Sequence, residues 1–339
     1  MADKTTAPSV AIGIPVRNEV ERLPRLFTAL SRQRTKLPIN ICLFFDSCSD
    51  GSLELAARLA ASLPLPLVSE RDEGGADPNA GRARGRAMAL AMQVAPTGFV
   101  LTTDADSLPD PDWVSANVDA LTHADIVAGR ISRAASAAQD LQQRVSSYFD
   151  RLHMVRRWLD PVPWEDGCTH HWTSGASLGF RASVYAALGG FPALPNGEDA
   201  AIVDAAMRAG YRVRRDARVV VHTSSRRQGR ALLGLAAALT HFDAHAEMPD
   251  VVHPEDEAWR FGMQAAARAC FEGGNLLPLS AALRLDEAEV MRAAHESING
   301  EAFAAKIVGP PPSGTRLISL AHAEVVLGAL ETSILAGAA

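Results

Sequence analysis

The sequence predicts an α/β fold in which a mostly parallel sheet is flanked by helices and followed by a helical C-terminal extension. Apolar segments with strand character alternate with segments whose apolar residues recur at helical spacing, which is typical of a parallel sheet with crossover helices. The chain has 339 residues, enough for one large α/β domain plus a further unit. Ligands of such sheets bind beyond the carboxyl ends of the strands.

The first half of the chain supplies four strand predictions. They cover residues 9–16, 39–47, 65–70 and 98–106. Helices are predicted between them over 19–33, 51–63 and 81–95, with Pro24 tolerable only in a first turn. Each of the first three strands therefore precedes a helix that can return the chain to the same end of the sheet.

The second half is less regular. It predicts a strand over 125–132, a polar helix over 134–160, a helix over 198–210 and a strand or hairpin over 211–224. Residues 160–177 are rich in Pro, Gly, His and Trp, and irregular segments of this length are commonly functional or mobile. After about residue 230 the chain is rich in alanine and leucine, which predicts helices to the end.

Composition and charge disfavour several classes of protein. The formal net charge is −6 and aromatic residues make up 6%, so a nucleic-acid partner is disfavoured. The cysteines, at positions 42, 48, 168 and 270, form no Cys-x-x-Cys pair, which disfavours structural zinc and a disulfide framework. The N-terminus lacks a signal-peptide core, and the apolar run from Ala231 is too short to span a bilayer. We expect a cytoplasmic protein, with peripheral membrane contact left open.

Acidic residues follow the fourth strand, in the segment "FVLTTDADSLPD". Asp104 and Asp106 lie two positions apart, and Mg²⁺ or Mn²⁺ is often shared between one or two carboxylates and substrate phosphates. The alternative is that Asp, Ser and Pro simply form a turn, which is how we interpret Asp110. Taken alone, the Asp-x-Asp pair leaves both interpretations open.

The first two strands end in similar polar segments. Arg17, Asn18 and Glu19 follow the first strand in "IPVRNE", where the alternative role is to begin a helix. Asp46 follows the second strand and could accept hydrogen bonds from a nucleobase or ribose. Asp50 is better explained by an Asx turn or a helix cap.

Arginines open the third helix in "GRARGRA", which is not a Gly-x-Gly-x-x-Gly dinucleotide fingerprint. Arg82 and Arg86 lie one helical turn apart, and Arg84 lies on another side of the helix. A helix N-terminus with arginines can bind a diphosphate, although a solvated basic face is equally compatible with this pattern.

Two later segments carry further candidates. Glu198 and Asp199 begin a helix, where acids favour the helix dipole or, alternatively, one acts as a general base. His222 ends a strand and is followed by Arg226, Arg227 and Arg230 at spacings that share a helix face. A histidine with three arginines suggests a metal and phosphate clamp, whereas a lone histidine there would more often be structural.

The order of these segments resembles the family 2 glycosyltransferases with a GT-A fold. The resemblance rests on seven segments in sequence and covers roughly residues 8–230: "IPVRNE", "DSCSDGS", "AGRARGRA", "LTTDADS", "TSGASLGFRASVYAALGGF", "NGEDAAIVDAAMRAGYRV" and "VVVHTSSRRQGR". It implies a nucleotide-diphosphate sugar donor, Mg²⁺ or Mn²⁺, and transfer of a sugar to a hydroxyl acceptor. "DSCSDGS" is one residue shorter than the commonest family form, which puts the base contacts in doubt.

The resemblance also implies roles for individual residues. Pro15, Arg17, Glu19 and Asp46 would bind the donor, and Arg84 would lie beside the nucleotide. Asp104 would touch the ribose or the metal, and Asp106 would coordinate the metal.

Further along the chain, the resemblance implies roles for the later segments. Gly175, with Ala176 and Ser177, would line the donor sugar and acceptor, and Asp199 with Glu198 beside it would be the catalytic base of an inverting reaction. His222 would be a further metal ligand, and Arg226, Arg227 and Arg230 would add positive charge at the diphosphate.

The predicted organisation is a glycosyltransferase domain over residues 1–230, with a nucleotide half at 8–110 and an acceptor half at 111–230. Residues 231–339 would form an α-helical extension that could cap the acceptor side, supply the surface of a homo-oligomer or fold as a separate helical bundle. The alternative function is a non-catalytic regulatory or partner subunit that binds nucleotide sugar. A sugar nucleotidyltransferase is less suitable, because it would need a Gly-rich basic loop directly after the first strand, and "IPVRNE" is not such a loop.

Overall fold

The computed structural model describes residues 9–72, 79–133, 140–223 and 249–337. The chain divides into two compact units. Unit 1 comprises Met1–Ala134, Trp172–Asp204 and Val213–Ala238, and unit 2 comprises Ala135–His171, Ala205–Arg212 and Leu239–Ala339.

The helices and strands follow one another closely along the chain. The strands are β1 (Val10–Val16), β2 (Ile39–Phe45), β3 (Leu67–Arg71), β4 (Phe99–Thr102), β5 (Ser107–Pro109), β6 (Ile126–Arg133), β7 (Leu178–Arg181), β8 (Val213–Thr223), β9 (Asp250–Val252) and β10 (Leu317–Ser319). The helices are α1 (Leu23–Ser31), α2 (Ser52–Ala60), α3 (Ala80–Val94), α4 (Trp113–His123), α5 (Asp140–Leu159), α6 (Ala182–Ala187), α7 (Glu198–Arg208), α8 (Pro254–Gly273), α9 (Leu277–Leu283), α10 (Glu287–His295), α11 (Gly300–Ile307) and α12 (Leu320–Gly337).

Unit 1 contains one eight-stranded sheet with the order β3-β2-β1-β4-β7-β6-β8-β5. β1 pairs in parallel with β2 and β4, and β2 pairs in parallel with β3. β7 is antiparallel to both of its neighbours, whereas β6 and β8 are parallel. The predicted mostly parallel α/β architecture is confirmed, and the parallel strands β1, β2 and β4 bring their carboxyl ends to one edge.

The local sequence accounts for these elements. Ala11, Ile12 and Ile14 of β1 are fully buried, and because successive residues point to opposite faces, this central strand is covered on both faces. Pro24 lies in the first turn of α1, where its missing N–H costs nothing. Asn79 caps α3, its side chain accepting a hydrogen bond from the amide of Arg82. The helices and strands predicted for residues 9–132 are therefore confirmed, with end points shifted by a few residues.

Two strands of the eight-stranded sheet differ from the prediction, and the short strands β9 and β10 differ from the helices predicted to the end of the chain. Residues 107–109, which the sequence assigned to a turn after the Asp-x-Asp pair, form β5 and pair antiparallel with the end of β8. β7 is inserted antiparallel between β4 and β6. Both are three or four residues long, too short to show a periodic signal in the sequence.

Unit 2 contains α5, helices α8 to α12 and the two-stranded antiparallel sheet of β9 and β10. Its polar interior includes Asp160, which is 1% exposed and is contacted by Arg157 and by Arg268. Residues 140–171, which the sequence placed in the acceptor half, group in the structure with the C-terminal helices. The predicted boundary at residue 230 lies outside the described residues and stays a prediction.

Within the described part of the chain, α12 is the helix whose length and composition would allow it to cross a membrane. In unit 2 its two acids are neutralised by α5, because Arg144 pairs with Glu324 and Arg151 with Glu331. The run from Ala231, which we expected to be the most apolar helix, lies outside the described residues. The cytoplasmic location stays a prediction.

Candidate functional site

The loops after β1 and β2 are bound to each other. The Asn18 side chain accepts a 2.7 Å hydrogen bond from the Ser49 amide, and the Glu19 amide donates to Ser52 Oγ at 2.8 Å. Asn18 (φ 53°) and Ser47 (φ 49°) both adopt the left-handed conformation. These contacts fix the first two strand ends as one rigid rim.

Asp50 connects the same two loops through hydrogen bonds. Its carboxylate accepts hydrogen bonds from the Val20 amide at 3.1 Å and from the amide and hydroxyl of Ser52. Burial would raise the pKa of Asp50, but these hydrogen bonds outweigh it and lower the pKa below its usual value. The structural role predicted for Asp50 is confirmed.

Asp46 lies between two arginines. It is 3% exposed, and its two carboxylate oxygens accept from Arg17 Nη1 at 3.2 Å and from Arg82 Nη2 at 3.3 Å. Arg82 also contacts Asp72 at 3.3 Å. We call these residues, Arg17, Asp46, Asp72 and Arg82, the Asp46 cluster. A carboxylate has about four lone-pair sites, so a nucleobase donor can share Asp46 with the arginines.

The other predicted residues of the first segment differ in exposure. Pro15 is half-buried within β1, opposite Phe44 of β2. Glu19 is 5% exposed and contacts Arg22, at 3.5 Å. Of the segment "IPVRNE", Arg17 belongs to the Asp46 cluster through its ion pair with Asp46.

Arg84 forms the centre of a second, buried network. The residue is 6% exposed and lies on α3. Its guanidinium donates to Glu198 Oε1 at 3.0 Å, Thr102 Oγ1 at 3.1 Å, the Gly175 carbonyl at 2.8 Å and Asp104 Oδ1 at 2.9 Å. We call these five residues the Arg84 network. It joins the end of β4, the irregular segment before β7 and the start of α7.

Two carboxylates stabilise the charge of the buried Arg84 guanidinium. Burial alone would lower the pKa of Arg84, but the carboxylates of Asp104 and Glu198 raise it above its usual value. Four of the five guanidinium N–H groups have partners. Arg84 is therefore a buried cation bound to Asp104 and Glu198, and its place beside the nucleotide stays a prediction.

Gly175 links the Arg84 network to Asp199. Its amide donates to Asp199 Oδ2 at 2.8 Å, while the other oxygen of Asp199 accepts from the Ala200 amide. A Cβ atom on Gly175 would lie 2.4–2.6 Å from the Arg84 guanidinium, so only glycine fits. The predicted residues Arg84, Asp104, Gly175, Glu198 and Asp199 are thus connected by hydrogen bonds.

The segment from Gly175 to Ser177 is buried. Ala176 is 3% exposed and Ser177 is fully buried, with Ser177 Oγ accepting from Trp113 Nε1 of α4 at 2.9 Å. These side chains were expected to line the donor sugar and acceptor. Their role at the donor sugar and acceptor stays a prediction.

The Asp-x-Asp pair lies at the turn between β4 and β5. The Asp104 side chain is 34% exposed and contacts Arg84 through Oδ1, and Asp106 is half-buried. His222 Nε2 lies 2.7 Å from Asp110 Oδ1, so Asp110, which we assigned only to a turn, has a side-chain partner. Across residues 9–72, 79–133, 140–223 and 249–337, no three His, Cys, Asp or Glu side chains converge to hold a metal by themselves.

Three predicted arginines could not be placed, and two residues without a predicted role contact the site. Arg226, Arg227 and Arg230 lie outside the described residues. Sequence reasoning assigned no partner to Arg82 and did not identify Thr102, although both contact predicted site residues. Thr102 precedes the Asp-x-Asp pair by two residues on a buried strand, and that position was the available signal.

The comparisons with known proteins agree with this geometry. Residues 11–168 match the family described as Glycosyl transferase family 2. The matched range includes the Asp46 cluster, Arg84, Asp104 and Asp106, and it ends before Gly175. No curated protein sequence matches the chain.

Two solved structures resemble this chain at low sequence identity, and the first of them supports the fold. One is S. aureus TarS 1-349 in complex with UDP-GlcNAc, with 15% identity, 84% of this chain and 78% of that chain covered, and a TM-score of 0.50. Another is the mannosyltransferase PcManGT from Pyrobaculum calidifontis in complex with GDP-Man and Mn²⁺, with 18% identity, coverage of 89% and 86%, and a TM-score of 0.49. The predicted resemblance to family 2 glycosyltransferases and the GT-A fold are confirmed.

Proposed function

From the family 2 glycosyltransferase match over residues 11–168, we propose that this chain transfers a sugar from a nucleotide-diphosphate sugar to a hydroxyl acceptor. The observation that carries the proposal is the Arg84 network. It connects Asp104, at the end of β4 where a donor would bind, to the Gly175 amide that holds Asp199. Donor-side and acceptor-side carboxylates are therefore fixed relative to one another through one buried cation.

The Asp46 cluster is suited to the nucleoside. Asp46 offers acceptor lone pairs at the end of β2, and Arg17 and Arg82 can donate to ribose or phosphate oxygens while remaining paired to it. Both arginine side chains are about one-third exposed, so ligand atoms can reach them. Arg226, Arg227 and Arg230 stay predicted contributors of positive charge at the diphosphate.

The oxygen donors of the Asp-x-Asp turn fit Mg²⁺ or Mn²⁺. Asp104 and Asp106 supply hard carboxylate oxygens, and Mg²⁺ is usually held by one or two carboxylates and completed by substrate phosphates. Two carboxylates without a third ligand are therefore the donor set expected for a metal that arrives with a diphosphate. When bound, the ion would neutralise charge on the departing nucleoside diphosphate. His222, paired with Asp110, remains a proposed further ligand.

Asp199 is suited to take the acceptor proton. Its carboxylate is oriented by the Gly175 and Ala200 amides, which leaves further lone pairs for an acceptor hydroxyl. Glu198 is 4% exposed and bound to Arg84, so we assign it the role of positioning Arg84. Deprotonation by Asp199 on the side opposite the leaving group would give inversion at the sugar carbon.

The test uses Asp199→Asn, with Asp204→Asn on the same helix as the control. Nucleoside diphosphate release is measured over a panel of nucleotide sugars that begins with UDP-GlcNAc, with Mg²⁺ or Mn²⁺ and a range of hydroxyl acceptors. We expect the Asp199 variant to lose about 100-fold or more in kcat, typical of a missing general base, while donor affinity and folding are retained. Turnover by the Asp199 variant equal to that of the control removes it from this role. Donor binding without turnover by the native protein would instead indicate the non-catalytic subunit.

A further inference from the structure

Unit 2 contains a cavity of about 350 Å³ near the start of α8. This volume lies in the range of small-molecule sites. The cavity combines an indole, two adjacent prolines, two guanidinium groups and two carboxylates. Its lining residues are Glu255, Asp256, Trp259, Ala282, Arg284, Pro311, Pro312, Ser313 and Arg316.

Arg284 is placed in this cavity at a conformational cost. It caps α9 in the left-handed conformation, with φ 54°, where glycine is the usual residue. Its side chain is exposed and makes no hydrogen bond or ion pair with any residue in the described ranges. Non-glycine residues in this conformation concentrate at ligand sites.

The carboxylates of the cavity are already occupied. Asp256 is 4% exposed and accepts hydrogen bonds from the Arg316 amide at 2.8 Å and from Arg316 Nε at 3.0 Å. Glu255 Oε2 accepts from Arg316 Nη2 at 3.2 Å. The four charges of the lining sum to zero, but both carboxylates are bound to Arg316, so the Arg284 guanidinium remains available for a charge-assisted hydrogen bond with an anionic ligand.

The remaining wall is apolar and rigid. Trp259 is partly buried against the hydrophobic core of unit 2, so the orientation of its indole is fixed. Pro311 and Pro312 add a surface with little conformational freedom, and Ser313 adds a hydroxyl. A flat indole beside hydrogen-bonding groups suits the C–H face of a sugar ring.

We propose that this cavity binds an anionic monosaccharide, with Arg284 contacting its carboxylate or phosphate and Trp259 packing on its ring. The volume admits one such sugar unit with water. Binding here does not depend on transfer in unit 1, so the proposal stands independently of the transferase function. The anion can be a uronic acid carboxylate or a sugar phosphate, and the probes below separate these two sources.

The experiment titrates the full-length protein, without divalent metal, with glucuronic acid, glucose 6-phosphate, glucose and inorganic phosphate by calorimetry. We expect saturable binding of one or both anionic sugars, and binding of glucose and of phosphate at least about tenfold weaker. Arg284→Asn, which tolerates the left-handed conformation, should weaken the anionic sugar about tenfold or more, the usual effect of losing a charge-assisted hydrogen bond. Arg292→Asn, an exposed arginine on α10 outside the cavity, should bind like the native protein.

Two further variants separate this site from unit 1 and from simple anion binding. Asp46→Asn should leave the sugar affinity unchanged, and Trp259→Phe should weaken the sugars more than inorganic phosphate. The proposal is overturned if no anionic sugar binds, if Arg284→Asn binds as well as the native protein, or if Asp46→Asn abolishes the binding. Phosphate that binds as tightly as glucose 6-phosphate also overturns it. Thermal unfolding midpoints confirm that each variant is folded.

Discussion

Replacing Arg84 by methionine would remove the cation at the centre of the Arg84 network while keeping a side chain of similar length. Glu198, which is 4% exposed, would then carry a buried charge without a partner, since Arg84 Nε is its ion-pair donor at 3.0 Å. Breaking a buried pair in this way costs about 3–5 kcal/mol. Asp104 adds little, because its side chain is 34% exposed and water can solvate it.

Two further variants test whether the loss of stability in Arg84→Met comes from the buried charge of Glu198. In Arg84→Met/Glu198→Gln the buried charge is gone, so we expect it to be more stable than Arg84→Met alone. The expected coupling free energy between the two positions lies between about 0.5 and 3 kcal/mol. Arg86→Gln on the same helix is the control. Arg86 is 54% exposed in a surface pair with Glu70, so its loss should cost less than about 1 kcal/mol.

The assay is urea unfolding followed by circular dichroism and tryptophan fluorescence. The free energy of unfolding is compared across the native protein and four variants, which are Arg84→Met, Glu198→Gln, Arg84→Met/Glu198→Gln and Arg86→Gln. Two probes are needed because two units can unfold separately. If Arg84→Met costs no more than Arg86→Gln, or if the double variant costs the sum of the two single changes, Arg84 and Glu198 are not one energetic unit. The proposed support of the catalytic carboxylates would then be refuted.

Three other predictions concern single positions. Gly175→Ala should lower kcat and the free energy of unfolding together, because a Cβ atom would lie 2.4 Å from the Arg84 guanidinium carbon; normal kinetics would contradict this. Asp46→Asn should weaken nucleoside diphosphate binding about tenfold or more in a thermal-shift titration, with stability nearly retained. Burial would raise the pKa of Asp216, but the hydrogen bonds of Arg218 and the charges of Arg214 and Arg218 outweigh burial and lower the pKa. Ionised Asp216 therefore stabilises the fold at pH values above its unfolded pKa of about 3.9. That contribution is lost as the pH falls through the folded pKa, and the stability gap to Asp216→Asn should narrow below about pH 4.

The strands that the sequence predicted are those whose apolar residues follow one another along the chain. β1 and β2 are mostly apolar seven-residue strands, and the rule that ligands bind at strand ends predicts Arg17, Asp46 and Asp104 on one edge of the sheet. β5 was missed because three residues with a proline resemble a turn, and pairing with β8 across more than a hundred positions decides their conformation.

The same limit applies to the candidate site. The arginine pattern of α3 indicated that Arg84 lies apart from Arg82 and Arg86, but no periodicity could show that it is buried against Glu198, 114 positions later. Non-local ion pairs leave no spacing signal. The place of Arg84 beside the nucleotide was inferred from the family resemblance and stays a prediction, whereas its burial and its ion pair with Glu198 are visible only in the structure.

The left-handed residues Asn18 and Ser47 at the two strand ends have an evolutionary consequence. Ser47 holds about 1–2 kcal/mol of backbone strain that glycine would release, whereas asparagine adopts this conformation more readily. A selection for heat resistance would therefore find Ser47→Gly more easily than Asn18→Gly, because Asn18→Gly also removes the hydrogen bond that the Ser49 amide donates to the Asn18 side chain. Glycine at position 47 would also free the loop that carries Asp46, so ancestral or laboratory lineages that gain thermostability there should lose substrate affinity.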